Sequence, residues 1–227
     1  MKPSDLNRDE ILMLLRTPAL DAELETMLDE CTEELCKAVQ PRTIWRMLPV
    51  GHSDEGVRVG GLLLGGKDIA LHLTGCKQAV LLAATLSAPV DALIRRAEAS
   101  DMMKALMFDA VAGAAIEAVC DELEQSLHES LGFRYYTARF SAGYGDFPLN
   151  QQKDLITMLD APRKIGLTVT QHNTLLPMKS VTAIIGLSDQ PVKDARRYCC
   201  GKSCGECPNR DGCVYAKNPE DEKGSTQ

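Results

Sequence analysis

Two short stretches of the sequence combine residue types that bind ligands. The first, residues 139–148, places Arg139 at the end of an aromatic strand pattern and follows it with Gly143, Tyr144 and Gly145. The glycines permit backbone angles and close approaches that side chains forbid. The Arg139 guanidinium offers a fixed fork of donors that matches a carboxylate or a phosphate. The pattern indicates a ligand-binding loop, although a plain turn has the same composition.

The second stretch is a cluster of thiols towards the end of the sequence. Five of the nine cysteines fall within fifteen residues, at Cys199, Cys200, Cys204, Cys207 and Cys213. If Cys199 is the first ligand, the spacing is C-x₄-C-x₂-C-x₅-C. Four thiolates suit either tetrahedral zinc or an iron–sulfur cluster. The segment therefore predicts a metal or cluster site, with Cys199 and Cys200 as alternatives for the first ligand.

A third candidate lies on a long predicted helix upstream of the loop. Asp109, Gly113, Glu117 and Asp121 recur four apart and share one face of that helix. Carboxylates on an otherwise apolar helix are costly to bury without a counter-charge. Two interpretations stay open, a bound cation or a helix edge covered by solvent. The small residues of 110–118 likewise admit either a flat ligand or close packing against a neighbouring element.

Composition limits the class of protein. The chain has 227 residues, of which 44% are hydrophobic and 25% charged, enough for one domain with its own core. Its net charge is −7 and it lacks a patterned Lys/Arg cluster, so we expect no nucleic-acid partner. Without a signal-peptide pattern or a membrane-spanning run, we expect a cytoplasmic protein with no membrane partner. The scattered Cys31, Cys36, Cys76 and Cys120 are expected to be reduced and packed as small hydrophobes.

The elements that must position these residues mix helix and strand without regular alternation. Strand composition marks residues 44–50, 57–64, 79–86, 165–170 and 181–187. Helical periodicity marks residues 7–15, 20–38, 89–99, 101–131 and 151–160. Gly132 is expected to end the longest helix. Because no glycine-rich nucleotide fingerprint follows a strand, this order favours an α+β fold over a doubly wound one.

Three segments of the second half carry a shared pattern. They are the Arg-x-x-x-Gly-Tyr motif from Arg139, the Pro-x-x-Ser-Val strand from Pro177, and the apolar helix with acidic residues at 116–123. Together they resemble the activation domain of cobalamin-dependent methionine synthase. The resemblance covers the second half of the chain in detail and the first half in outline. It looks closest to a separate activation subunit that serves a methionine synthase lacking its own.

The resemblance implies a domain organisation and a fold. Residues 1–195 are expected to form an activation-like domain with a central antiparallel sheet flanked by helices. Residues 196–216 carry the cysteine cluster and form a metal-binding or cluster-binding tail that the family's fused domain lacks. Residues 217–227 are charged and polar with no apolar face, so we expect them to be disordered.

An activity is also implied by the resemblance. The chain is expected to bind S-adenosylmethionine (SAM) and to present it to cobalamin carried by another protein. The cob(II)alamin of a partner methionine synthase is then reduced by an electron from a donor protein and methylated by SAM, which restores the active cofactor. The implied partners are the cobalamin-binding module of that synthase, or another corrinoid protein, and the electron donor protein. Because the reaction consumes an electron, we favour an iron–sulfur cluster over zinc at the cysteines.

Roles for five residues follow where the motifs coincide. The resemblance implies that Arg139 clamps the methionine carboxylate of SAM, and that Ser141 and Gly143 make backbone contacts to the ligand. Tyr144 is expected at the mouth of the site, facing the corrin, as the residue nearest the catalytic step. Glu117 is expected to meet the positive amino or sulfonium end, because a negative group in a partly dry pocket favours a cation.

The sequence departs from the family pattern in the loop, and two other functions remain open. Ala142 stands where the family has proline, and Gly145 and Asp146 follow the tyrosine, so the rigidity of the loop is an open question. One alternative function is a SAM-dependent reactivator of a different corrinoid methyltransferase. The other is a non-catalytic iron–sulfur or zinc interaction module. The four histidines accompany no nucleophile motif and are interpreted as surface or internally satisfied groups.

Overall fold

The computed structural model describes residues 1–192, and all elements are assigned within that range. The helices are α1 (Arg8–Leu14), α2 (Ala22–Ala38), α3 (Lys67–His72), α4 (Ala88–Glu98), α5 (Met102–Leu131), α6 (Gln152–Leu159) and α7 (Ala161–Ile165). The strands are β1 (Arg42–Ser53), β2 (Gly56–Val59), β3 (Leu62–Leu64), β4 (Gln78–Thr85), β5 (Tyr135–Tyr136), β6 (Thr168–Val169), β7 (Leu175–Leu176) and β8 (Ser180–Ser188).

Six strands form one antiparallel sheet in the order β3-β2-β1-β4-β8-β5. β1 and β2 pair with Val50 opposite Val59, and β5 pairs with β8 with Tyr135 opposite Ser188. Strands β6 and β7 form a separate two-stranded sheet. The expected α+β fold, with a central antiparallel sheet flanked by helices, is confirmed.

Two compact units make up the chain, and each is described separately. The helix-rich unit comprises Met1–Met47, Leu81–Gly132 and Asn150–Ala183. The loop-bearing unit comprises Leu48–Val80, Phe133–Leu149 and the described residues from Ile184 onward. The candidate loop therefore belongs to the loop-bearing unit, and Glu117 belongs to the helix-rich unit.

Helix α5 is the centre of the helix-rich unit, where it packs against α1, α2 and α4. The Asp101 carboxylate caps it by accepting the Met103 N–H at 3.0 Å and the Lys104 N–H at 3.1 Å. Gly132 ends it in the left-handed conformation, as the sequence predicts. Neither α5 nor any other helix within residues 1–192 has both the length and the apolar composition to cross a membrane.

The small residues in the middle of α5 serve close packing. Ala112, Ala114 and Ala115 are fully buried in the core of this unit. A Cβ added at Gly113 would lie 2.7 Å from Leu14 Cδ1, so the glycine makes room for a side chain at the end of α1. Of the two interpretations of this stretch, the structure therefore favours packing against a neighbouring helix over a flat ligand.

The predicted strands have mixed outcomes. β4 is buried along nearly its whole length and confirms the strand expected at 79–86. The strand expected at 165–170 is wrong in most of its length, because Ile165 ends α7 and only Thr168–Val169 pair with β7. Pro162 lies in the first turn of α7 and begins that helix, since a missing N–H is harmless there.

Candidate functional site

The candidate loop begins where the chain leaves the sheet. Phe140 forms an isolated bridge with Ile184 of β8, in which the Phe140 N–H donates to the Ile184 carbonyl at 3.0 Å and the Ile184 N–H donates back at 2.9 Å. The bridge fixes the backbone on both sides of Phe140, so Arg139 and Ser141 are attached to a rigid support. The aromatic strand predicted here is shorter than expected, because only Tyr135–Tyr136 pair as a strand.

The loop closes on itself through three backbone hydrogen bonds. The Gly143 N–H donates to the Phe147 carbonyl at 2.8 Å, and the Phe147 N–H donates to the Tyr144 carbonyl at 3.0 Å. The Tyr144 N–H donates to the Ser141 carbonyl at 3.1 Å. Gly143 and Gly145 have φ values of 94° and 53°, in the left-handed region that favours glycine. The two glycines are therefore required by the turn, as their position in the sequence predicts.

Aromatic side chains anchor the loop and leave its tyrosine accessible. Phe147 is 1% exposed, and its ring lies 6.2 Å from the ring of Phe140. The Tyr144 ring meets Phe140 edge-on at a centroid distance of 6.2 Å, yet the residue is 51% exposed. A tyrosine ring that is about half exposed can still stack on a flat partner.

Asp146 ties the far end of the loop to the start of α3. Its two carboxylate oxygens accept the N–H groups of Lys67 at 2.7 Å and Asp68 at 2.9 Å. In return, Asp68 Oδ2 accepts the N–H of Asp146 at 3.1 Å. The Asp68 N–H, followed by the Lys67 N–H, lowers the pKa of the Asp146 carboxyl below its ordinary value, because both bonds favour the charged form.

Two glycines bring these backbones close enough for that contact. A Cβ at Gly66, which has a φ of 99°, would lie 2.6 Å from Asp146 Oδ1. A Cβ at Gly145 would collide with the Asp68 carboxylate. The sequence analysis did not identify the contact between Asp68 and Asp146. The available signal was that a helix starting at Lys67 follows a glycine instead of a residue whose side chain can cap it.

His72 supports the near end of the loop. It is 9% exposed, and its Nε2 lies 3.0 Å from the Ala138 carbonyl and 2.7 Å from Thr137 Oγ1. Thr137 Oγ1 also accepts the Gly186 N–H at 2.8 Å. Burial lowers the pKa of His72 to about 4, although the hydrogen bond to Ala138 acts in the opposite direction. His72 is thus a neutral, internally satisfied histidine, as the sequence interpretation allows.

The acidic stripe on α5 does not behave as one site. Asp109 is exposed, and its Oδ1 lies 2.7 Å from the Nζ of Lys179. Asp121 is also exposed, whereas Glu117 is half-buried. A counter-charge from the protein itself therefore accounts for Asp109, and Asp121 lies on the exposed side of the helix. Of the two interpretations of the stripe, the structure favours the solvated helix edge at these two positions.

The Pro-x-x-Ser-Val segment connects β7 to β8 in the helix-rich unit. The Leu176–Pro177 peptide bond is cis. The Met178 N–H donates to Asp91 Oδ2 at 2.8 Å, and the Ser180 hydroxyl donates to the Pro177 carbonyl at 2.7 Å. These contacts hold the segment to α4 and to its own turn. The segment is therefore an ordered connection whose polar groups are used by the protein itself.

The predicted metal ligands Cys199, Cys200, Cys204, Cys207 and Cys213 lie outside the described residues. Within residues 1–192, no group of three or more His, Cys, Asp or Glu side chains is placed to hold a metal ion. The cysteines of the described range, Cys31, Cys36, Cys76 and Cys120, are buried and unbridged. Burial raises the pKa of Cys31 to about 11, so this thiol stays protonated and packs as a small hydrophobe, as the sequence predicts.

Four of the five predicted ligand-binding residues lie on one short, ordered segment of the chain. Arg139, Ser141, Gly143 and Tyr144 lie on the loop that starts at the Phe140 bridge. The fifth, Glu117, lies on α5 in the helix-rich unit. A guanidinium, a turn with left-handed glycines and an exposed tyrosine together provide a charge for an anion and a ring for a flat group.

Comparison with known proteins gives a match in structure but none in sequence. No family model matches the chain, and no curated protein sequence matches it. Among solved structures, the crystal structure of the MetH reactivation domain bound to AdoHcy matches with a TM-score of 0.67. The match covers 87% of this chain and 78% of that one, and 15% of the aligned residues are identical. The chain therefore has the fold of the MetH reactivation domain.

Proposed function

We propose that the chain binds SAM through the loop at residues 139–147 and serves a cobalamin-dependent methionine synthase as its reactivation subunit. Two independent observations support the proposal. The fold matches a domain crystallised with AdoHcy, the product that remains when SAM gives up its methyl group. The Arg-x-x-x-Gly-Tyr motif, which carries the sequence resemblance, lies on one ordered loop with Tyr144 accessible. The second observation carries the proposal, because it depends on this chain's own residues.

In this proposal Arg139 binds the carboxylate of the ligand. Its guanidinium can form two parallel hydrogen bonds to a carboxylate, and such charge-assisted pairs are about twice as strong as neutral hydrogen bonds. The Phe140 bridge fixes the backbone next to Arg139. A side chain that starts from a fixed backbone loses less entropy when it binds, which favours a defined ligand orientation.

Gly143 is not expected to donate its backbone N–H to the ligand. Its N–H already donates to Phe147, so it is not free for a ligand. The absence of a Cβ instead lets the loop turn at a positive φ with Leu149 packed against it. Ser141 offers its carbonyl, which accepts one bond from Tyr144 and has a second lone pair. Tyr144 then presents its ring to the flat corrin of the partner.

The proposed reaction combines one electron transfer with one methyl transfer. An electron from a donor protein converts cob(II)alamin of the partner to cob(I)alamin. SAM supplies the methyl group as a cation, which joins cobalt as the sulfur–carbon bond breaks and leaves AdoHcy. The chain itself holds and orients SAM and gives the partner's corrin a surface to meet.

Glu117 remains a prediction as the residue that meets the positive end of SAM. A carboxylate near a sulfonium or ammonium favours binding by several-fold to a hundredfold when solvent is partly excluded. The expected result for Glu117→Gln is weaker binding of both SAM and AdoHcy, which share the ammonium group. Asp121→Gln, on the same helix and exposed, is the matched control and is expected to bind both ligands normally.

The cysteine tail is proposed to hold an iron–sulfur cluster near the site of reduction. Support comes from the sequence alone, with four thiolates available from Cys199 or Cys200, Cys204, Cys207 and Cys213. Anaerobic purification followed by metal analysis and an absorption spectrum distinguishes the candidates. A brown protein with iron and sulfide is expected, whereas a colourless protein with stoichiometric zinc contradicts the cluster.

Calorimetric titration with SAM and AdoHcy tests the proposed function. Wild type is expected to bind both, and Arg139→Ala to bind about ten- to a hundredfold more weakly, because a charged hydrogen-bonding partner is lost. Arg134→Ala is the control, since Arg134 lies in the same unit and stacks over Tyr135 at 5.6 Å. No saturable heat with wild type would favour a non-catalytic module. A separate pull-down from the source cell identifies the partner. Recovery of only a corrinoid protein other than methionine synthase would show that the chain serves a different methyltransferase, and it would not contradict SAM binding.

A further inference from the structure

The backbone of the candidate loop contains two glycines that permit other conformations. Gly143 and Gly145 lower the cost of alternative backbone angles. Backbone hydrogen bonds within residues 141–147 and the ring contact between Phe140 and Phe147 hold the loop closed. A loop that binds a ligand in one geometry is held more firmly if another element supports it as well.

Helix α3 supplies that support at the far end of the loop. One carboxylate oxygen of Asp146 accepts the Lys67 N–H at 2.7 Å, and the other accepts the Asp68 N–H at 2.9 Å. The return bond from the Asp146 N–H to Asp68 Oδ2, at 3.1 Å, closes a ring between the two segments. The three bonds join residues 78 or 79 positions apart in the chain. Each involves an ionised acceptor, which is the stronger class of protein hydrogen bond.

The close approach of the two backbones shows that this contact is built into the chain. Gly66 and Gly145 lie on opposite sides of it, and a Cβ at either would meet the carboxylate of the other segment. Both glycines have a positive φ, of 99° and 53°. Three charge-assisted bonds at a junction that accepts no side chain define a single docked geometry for the loop.

The other end of α3 supports the near end of the loop. His72, the last residue of α3, contacts the Ala138 carbonyl and Thr137 Oγ1 through Nε2. Its ring also lies 4.8 Å from the ring of Phe140. Ala138 directly precedes Arg139, so the histidine holds the backbone from which the guanidinium extends. One six-residue helix thus contacts the loop segment before Arg139 and after Tyr144.

We propose that Asp146, Asp68 and His72 are positioning residues for the candidate SAM loop, and that α3 holds the loop in its ligand-binding geometry. This inference rests on the proposed function and deepens it. None of the three side chains contacts the ligand in this scheme. They act through the backbone of residues 138–147, which contains two glycines and no proline.

The test compares AdoHcy affinity with amide hydrogen exchange in wild type, Asp146→Asn and Asp146→Ala. Asparagine keeps one acceptor oxygen and turns an NH₂ towards the second N–H, whereas alanine removes both acceptors. We expect the dissociation constant to rise about tenfold in the asparagine variant and further in the alanine variant. Exchange at the Gly143 and Phe147 amides is expected to accelerate in the same order, because the loop opens more often.

Asp101→Asn is the matched control, because Asp101 also accepts two backbone N–H groups at a helix start, but in the helix-rich unit. It is expected to lower the melting temperature without changing AdoHcy affinity beyond twofold. His72→Asn tests the near end, where the Thr137 and Phe140 amides, which donate to carbonyls of β8, are expected to exchange faster. If either Asp146 variant fails to fold, Asp68→Ala, which removes only one of the three bonds, takes its place.

The outcomes distinguish a failure of the positioning role from a failure of the proposed SAM-binding function. If wild type binds AdoHcy and the Asp146 variants keep wild-type affinity and exchange, the positioning role is overturned and the proposed function stands. If affinity falls in proportion to melting temperature in the Asp101 control as well, the effect is general destabilisation and the positioning role is again overturned. If wild type binds no AdoHcy, the proposed function fails, and the positioning role fails with it.

Discussion

At the scale of single residues, the candidate site depends on which backbone N–H groups are already hydrogen-bonded within the loop. The Gly143 N–H donates to Phe147 and the Tyr144 N–H donates to Ser141, so neither is left for a ligand. The positive φ of Gly143 is a requirement of the turn, and its missing side chain lets Leu149 pack against the turn. In the proposed site, Arg139 and Tyr144 are therefore expected to contact the ligand, while Gly143 shapes the turn between them.

The Gly143→Ala variant tests this division of roles. Alanine at a φ of 94° is strained by about 1–2 kcal/mol, and its Cβ would lie 3.2 Å from Leu149 Cδ1. We expect AdoHcy affinity to fall about tenfold. Gly61→Ala is the control, because Gly61 has a φ of 91°, belongs to the same unit and has open space around its Cβ position. Equal affinity in the two variants would show that the Gly143 surface is not part of the site.

At the scale of elements, glycines serve two different purposes that the sequence alone does not distinguish. Gly113 in α5 faces the Leu14 side chain, which is 43% exposed and can move. Gly186 in β8 is buried, and a Cβ there would lie 2.5 Å from Cys76 Sγ and 3.1 Å from Thr137 Cγ2. A side chain at Gly113 could be accommodated by a small movement of Leu14. A side chain at Gly186 could not be accommodated without displacing buried atoms.

These two glycines give opposite predictions for stability. Gly113→Ala is expected to change the free energy of unfolding by less than about 1 kcal/mol, because better helix propensity offsets a small shift of Leu14. Gly186→Ala is expected to cost about 1–3 kcal/mol, because the added methyl group overpacks a buried strand. Urea unfolding of both variants measures the difference. A Gly186→Ala variant as stable as Gly113→Ala would contradict the packing described for β8.

Some elements could be predicted from sequence and others could not, for physical reasons. The long helix was predictable because Asp101 and Gly132 are local signals that act within one turn of it. The α3 contact was not, since Asp146 caps a helix that starts 79 residues earlier in the chain. Helix α7 was not predicted, because a proline can end one helix or begin the next, and Pro162 lies in the first turn of α7.

At the scale of the whole molecule, the resemblance predicted the fold although no family model and no curated protein sequence matches the chain. The α+β architecture followed from the irregular order of elements, whereas ligand binding by the Arg-x-x-x-Gly-Tyr loop stays a prediction. The position of Glu117 as a ligand contact remains a prediction, because no local pattern relates a helix residue to a loop that follows it. Local sequence patterns do not predict hydrogen bonds between residues that are distant in the chain, such as those between Asp146 and α3.

Stability of the whole chain is expected to fall in mild acid because of His72. Its pKa is about 4 in the folded protein and 6.5 ordinarily, so the unfolded chain binds a proton first as the pH falls. The stabilisation is fully present above pH 6.5 and is lost between pH 6.5 and 4. It amounts to roughly 3 kcal/mol at most. Urea unfolding across this window is expected to show a steeper loss in wild type than in His72→Asn. Equal slopes would contradict a buried neutral histidine.

The central claim is that the loop at residues 139–147 binds SAM, and amide chemical-shift mapping with AdoHcy tests it most directly. The account predicts that the largest shifts on titration fall at Arg139, Ser141, Gly143 and Tyr144, with smaller shifts at Lys67 and Asp68 where α3 holds the loop. Arg139→Ala is expected to reduce all of them together. Saturable shifts confined to other parts of the chain, with the loop amides unchanged, would contradict the account.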